Sequence, residues 1–151
     1  MSTFTVTGND TLVLNGNVFN DMATGTVTEI TFPNELVNVK TGKNKNSIIA
    51  LNQQGYNGVL VIKLNRGSAD DQFLANILAN MLGNFVATPL ISGSFTKQLG
   101  DGAGGVTNDV YSLAGGVISK IPGAMENVEG EVAQAETTYN IKFTNCGRSI
   151  E

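Results

Sequence analysis

Polar and apolar residues alternate along much of the chain. In Thr138-Tyr139-Asn140-Ile141-Lys142-Phe143-Thr144, every second residue is apolar, so an extended backbone buries Tyr139, Ile141 and Phe143 on one face and leaves the other wet. Residues 26–32, 94–99 and 110–113 are rich in β-branched and aromatic side chains and are bounded by Gly, Pro, Asn or Asp, which predicts three further strands. Residues 59–64, Val-Leu-Val-Ile-Lys-Leu, are apolar at nearly every position. They are expected to form a central strand, covered on one side by the core and on the other by the helix that follows.

The spacing predicts that helix over about 69–82. Ser68 caps it, Asp71 completes an S-x-x-D box, and Asp70 adds negative charge where the helix dipole favours it. Phe73, Ile77 and Met81 form one i, i+4 column and Leu74, Leu78 and Leu82 a second, with Gly83 at the expected stop. Asn76 and Asn80 occupy the opposite face, where Lys and Glu are usual; such a face is either plain polar surface or one that meets protein without desolvating charge. No charge lies between Asp71 and Lys97, yet Asn76, Asn80, Asn84, Gly83 and Pro89 interrupt the apolar run, so no membrane-spanning segment is expected.

Composition narrows the function. The 151 residues suit one domain, 1–151, with a 41% hydrophobic share sufficient for a core. Charged residues are 15%, against roughly 25% in an average soluble chain. Gly and Asn stand at 18 each, His and Trp are absent, and Cys146 is the single cysteine. Without His, neither a Ser-His-Asp nor a Cys-His arrangement can form, and Cys146 has no sequence neighbour that activates it. The net charge of −4 disfavours a tight nucleic-acid ligand. The chain is therefore expected to be neither an enzyme nor a holder of cofactor or metal. The single cysteine and the lack of a basic, apolar leader ahead of Met1-Ser2-Thr3-Phe4 suggest assembly in the cytoplasm, and Asn9-Asp10-Thr11 then reads as a chance glycosylation match.

Three motifs yield to simpler explanations. Gly100-Asp101-Gly102-Ala103-Gly104-Gly105 fits G-x-G-x-x-G, but residues 106–111 lead into another strand, so a hairpin loop is expected and not a phosphate cradle. Asp70 and Asp71 point in different directions from a helix and are accounted for by its N-terminal dipole. Glu126, Glu129 and Glu131 have the carboxylates of a glycoside hydrolase but no aromatic platform nearby.

Charge is segregated. Residues 36–66 carry Lys40, Lys43, Lys45, Lys63 and Arg66 and no acid; residues 121–139 carry Glu126, Glu129, Glu131 and Glu136 and no cation. Either these are ordinary solvated loops, or the basic loop 39–47 of one copy meets the acidic segment of a neighbour in a head-to-tail contact that makes a ring or filament. The candidate inter-subunit residues are Lys40, Lys43, Lys45, Asn76, Asn80, Glu126, Glu129 and Glu131.

The order of elements resembles the tail tube proteins of contractile-tailed bacteriophages: a mostly β chain, an early basic excursion, a strand-to-helix passage at 59–74 and a late Tyr-Ser-Leu-Ala-Gly-Gly-Val-Ile-Ser-Lys-Ile-Pro-Gly segment at 111–123. The resemblance implies an α+β fold, an antiparallel β-sandwich or rolled barrel with a flanking helix. It further implies hexameric rings stacked into a hollow tube inside a contractile sheath, in the virion tail. Partners would be the chain itself and the sheath, baseplate and tape-measure proteins, with DNA passing through the lumen without specific binding. By the same resemblance the loop at 39–54 reaches an adjacent subunit or ring. Type VI secretion tubes are similar in fold; a connector, a baseplate component or a small β-rich binding module are the other readings, the last requiring a concave aromatic-lined site.

Overall fold

The structure, a computed structural model, describes residues 4–7, 10–20 and 22–151. Along them run β1 (Thr5–Val6), β2 (Thr11–Leu14), β3 (Asn17–Val18), β4 (Thr28–Thr31), β5 (Val37–Thr41), β6 (Ser47–Leu51), β7 (Gly58–Asn65), α1 (Ala69–Gly83), β8 (Ile91–Gly100), β9 (Val106–Ile118) and β10 (Glu136–Ile150), with short 3-10 turns at Gln53–Tyr56 and Val132–Ala135. Eight strands form one antiparallel sheet in the order β3-β2-β8-β9-β10-β7-β4, with β1 alongside β8; β5 and β6 stand apart as a hairpin. The chain is thus mainly antiparallel β with a single α-helix among the described residues. Asn9 of the glycosylation match lies outside the described residues, as do Met1, Ser2 and Thr3.

Turn chemistry sets the connections. Asn15 (φ 50°) and Gly16 (φ 81°) make a two-residue hairpin turn between β2 and β3, a left-handed pair that Asn-Gly adopts at low cost. Asn15 is further tied to β8 by its backbone N–H on the Ser92 carbonyl (2.7 Å) and by its Oδ1, which accepts from the Ser92 N–H (3.0 Å). The glycine-rich run after Gly100 is the β8–β9 hairpin loop that the sequence predicts. Asp101 Oδ1 accepts from the Ala103 (2.7 Å) and Gly105 (2.9 Å) N–H groups, which hold its carboxyl below the usual carboxylate range.

The core lies on one face of the sheet. Register pairs Tyr139 with Ile62, Ile141 with Leu60 and Ile141 with Ile118, so the predicted alternation in β10 meets apolar partners on both sides. Leu74 of α1 packs into the same buried cluster as Leu60, Ile62, Leu64, Tyr139 and Ile141. Here the expectation for 59–64 is corrected. Core and helix cover the same face of β7, Val59, Val61 and Lys63 are only half-buried on the other, and β7 stands next to the outermost strand β4. On that second face Val59 is flanked by Thr31 and Lys142 and Val61 by Glu29 and Asn140, cross-strand neighbours that give partial cover. On the core face the sheet curls over: Phe32, just past β4, stacks on Tyr111 of β9 (6.4 Å between centroids).

The helix forms as predicted, with Ser68 Oγ accepting from the Asp71 N–H (3.3 Å). Its end differs in detail. Gly83 is helical, and the extended Asn84 supplies the cap, donating its N–H to the Asn80 carbonyl. Leu74 and Met81 are buried, Phe73, Ile77 and Leu78 pack partly on the core, and Leu82 leaves it in the last turn. The two aspartates do more than favour the dipole. Buried Asp70 accepts from Asn17 Nδ2 (3.1 Å) and the Asn20 N–H (2.8 Å), while Asp71 accepts from the Tyr139 hydroxyl (2.8 Å), the Thr137 hydroxyl (3.2 Å) and the Gly67 N–H (2.8 Å). They fasten the helix to β3 and β10.

Candidate functional site

The basic excursion is a β-hairpin. Val37 pairs with Leu51, Val39 with Ile49, Lys40 with Ile48 and Thr41 with Ser47. Directly opposed residues in an antiparallel pair share a face, so Val37, Val39, Ile49 and Leu51 form one aliphatic face, and Lys40 and Ile48 lie on the other. Every residue of both strands is exposed, Ile48 and Ile49 at 71%. At the tip the Gly42 N–H reaches the Asn46 carbonyl (2.8 Å) and Lys45 takes a left-handed conformation (φ 64°), presenting Lys43 and Lys45 together.

The base of this arm is firmly built. Asn52 donates its backbone N–H to the Leu36 carbonyl (2.8 Å) and its Nδ2 to the Glu35 carbonyl (2.9 Å), and Asn34 Nδ2 reaches the Gln54 carbonyl (3.3 Å). Gly55 backs directly onto the Leu36 backbone, with no room for a Cβ. An isolated two-stranded hairpin is marginal in water. Taking a Val, Leu or Ile fully out of water is worth about 1.5–3 kcal/mol, so covering the remaining exposed parts of these aliphatics offers on the order of 5 kcal/mol.

The acidic stretch is a long irregular connection between β9 and β10. Loops of this length with little regular structure are uncommon unless they have a role. Arg66 pins it: Nε donates to the Gln134 carbonyl (2.9 Å) and a terminal guanidinium nitrogen to those of Gly123 (3.3 Å) and Glu136 (3.0 Å). Asn127 shapes its turn, accepting from the Glu129 N–H (2.8 Å), donating to Glu131 (2.9 Å) and taking the Gln134 side-chain oxygen on its own N–H (3.0 Å). Glu126, Glu129 and Glu131 stay exposed, as do Ile121, Met125, Val128 and Val132.

The candidate residues therefore fall on three separate surfaces. Lys40, Lys43 and Lys45 share the hairpin, Glu126, Glu129 and Glu131 share the β9–β10 connection, and Asn76 and Asn80 lie on the exposed face of α1. Among the described residues no ion pair joins the hairpin lysines to an acid; the ion pairs are Lys97–Asp10 and Arg148–Asp109, each 2.8 Å. The basic run also divides, because Arg66 serves the acidic connection of its own chain and Lys63 sits half-buried on β7. Charge counting missed the aliphatics beside both charged groups, although Val37-x-Val39 and Ile49-x-Leu51 around a Gly- and Asn-rich turn are a readable hairpin signal. It also missed a further exposed apolar set in the last turn of α1 and the segment after it: Leu82, Phe85, Val86 and Leu90.

Among the described residues no group of three or more acids or cysteines converges to hold a metal. Cys146 is buried, and burial pushes its thiol up from its ordinary pKa, away from the reactive thiolate. A cleft of about 480 Å³ is lined by Phe19, Met22, Thr28 and Phe95, with the Asp10–Lys97 pair in its wall. Its aromatic rings are engaged elsewhere, Phe19 edge-on against Phe73 (6.1 Å) and Phe95 tilted on Tyr111 (6.4 Å). Among the described residues no helix is long and apolar enough to cross a membrane.

Compared with protein-family models and with curated proteins, the chain matches none.

Proposed function

We propose that this chain is a structural subunit that works by assembling with copies of itself, as the tail tube protein of a contractile-tailed phage. In this reading hexameric rings stack into a hollow tube inside a sheath, in the virion tail, and DNA passes through the lumen without specific contacts. Sheath, baseplate and tape-measure proteins are its other partners, and the curled sheet closes into a barrel-like wall with strands of its neighbours. The observation that carries the reading is the β5–β6 arm: a hairpin with a braced base, an aliphatic face and a basic tip, with every residue of its two strands exposed. A monomer gains nothing from such an arm, and an exposed aliphatic strand pair is an aggregation hazard unless a partner occupies it.

Three further features support it. Surface charge is sparse, as suits faces that become buried, and the acidic balance lets a polyanion pass without sticking. Strands β3 and β4 leave sheet edges to which a neighbour's strand adds by main-chain hydrogen bonding.

Native mass spectrometry of the purified chain tests the proposal. Hexameric species that grow into longer stacks as concentration rises are expected; a monomer that persists at the highest soluble concentration contradicts it.

A further inference from the structure

We infer that the β5–β6 arm of one copy clasps the 121–132 segment of the next, aliphatic face against aliphatic crest and lysines against glutamates. The inference rests on the self-assembling reading above and names its mating surfaces. Both surfaces are uncovered in the single chain, so neither serves the other within one copy. Val39 and Ile49 are 62% and 71% exposed on the arm, and Val128 and Val132 are 94% and 79% exposed on the segment.

Charge selects the pairing. Between residues 36 and 55 the arm carries Lys40, Lys43 and Lys45 and no acid; between residues 121 and 135 the segment carries Glu126, Glu129 and Glu131 and no cation. Lys40 lies on the face turned away from the aliphatics, so the two tip lysines, Lys43 and Lys45, meet the glutamates; they steer encounter and fix register, while the adjoining aliphatics supply the buried area that exposed ion pairs lack. The other uncovered set, Leu82, Phe85, Val86 and Leu90, lies in the uncharged stretch between Asp71 and Lys97, so its own segment offers no acid to a lysine tip.

Both partners are also pre-shaped. Asn52 and Gly55 hold the arm at its base, and Arg66 with Asn127 holds the segment, so little ordering remains to oppose association. Because arm and segment are different surfaces, the contact is heterologous: each copy offers one arm and one acceptor, and the joint repeats from copy to copy.

Charge swapping tests the clasp. Lys43→Glu/Lys45→Glu puts acids on both surfaces, and Glu126→Lys/Glu129→Lys puts cations on both. Each variant alone is expected to keep the wild-type circular dichroism and melting profile, yet to need a roughly tenfold or greater concentration to assemble, read by sedimentation. An equimolar mixture restores the wild-type threshold, because each arm then finds an opposite segment. In parallel, Val39→Cys mixed with Val128→Cys gives a disulfide-linked dimer on oxidation, with buried Cys146 contributing no background. Variants that assemble like wild type, a mixture that does not recover, or assembled cysteine variants that do not cross-link overturn the clasp while leaving self-assembly standing. Wild-type chain that never assembles overturns both.

Discussion

At the residue scale, Asp71 does the most work for its size: one carboxylate takes donors from Tyr139, Thr137 and Gly67, joining the first turn of α1 to β10 and to the loop before it. Burial, and then the hydrogen bond to Asp71, push the Tyr139 phenol well above its ordinary pKa, so the hydroxyl stays a donor across the physiological range. Tyr139→Phe leaves Asp71 with its other donors, so chemical denaturation should show a loss of about 1–2 kcal/mol with unchanged slope. A second pair gives the pH dependence. Arg148 holds the Asp109 carboxyl below the usual range by hydrogen bonds of 2.9 and 2.8 Å. A carboxylate with a depressed folded pKa favours folding above its unfolded value of about 3.9 and ceases to as the pH falls through the folded one. Urea melts should therefore show stability falling below about pH 4, with Asp109→Asn less stable at pH 7 but flatter over that acid range. The aspartates were visible in sequence as helix-dipole residues, but Asp71 lies 68 positions from Tyr139, and no local pattern marks a bond across that distance.

At the element scale, periodicity told most where one face is buried and the other wet. The Tyr139–Ile141–Phe143 alternation and the Ser68-capped helix are observed almost as the pattern implies. It told least where two faces are apolar for different reasons: Val59 and Val61 promised a second covering layer, and they are half-buried between the cross-strand neighbours Thr31, Glu29, Lys142 and Asn140. The β5–β6 hairpin has a strand signal in Val37-x-Val39 and Ile49-x-Leu51 around its Gly- and Asn-rich turn, but no local pattern shows that it stands clear of the core. Its independence from the core has a direct consequence. Replacing residues 38–50 by a short Gly-Ser link should move the thermal midpoint little, because all of those residues are exposed, and should abolish assembly by sedimentation. Leu74→Ala should do the reverse kind of damage, costing about 2–5 kcal/mol in chemical denaturation, because Leu74 is fully buried beneath the sheet's core face.

At the scale of the whole molecule, the low charge content acquires a location. Arg66, Lys97 and Arg148 serve the chain's own structure, whereas the hairpin lysines and the glutamates of the β9–β10 connection remain turned outward beside exposed aliphatics. Which surfaces are outward was not legible from sequence, because Arg66 and Lys43 are equally cationic in a string of letters and differ only in what the fold brings to them. The exposed Asn76 and Asn80 belong to this scale too. Asn80→Lys should leave stability within about 0.5 kcal/mol while weakening assembly if that face meets a neighbour, a comparison that melting and sedimentation make on one sample. The central claim is that copies of this chain cover one another's uncovered surfaces, and negative-stain electron microscopy of the concentrated wild-type protein tests it most directly. Rings with a central hole, stacked into tubes of constant width, are the result expected; a field of dispersed single particles the size of one chain would contradict it.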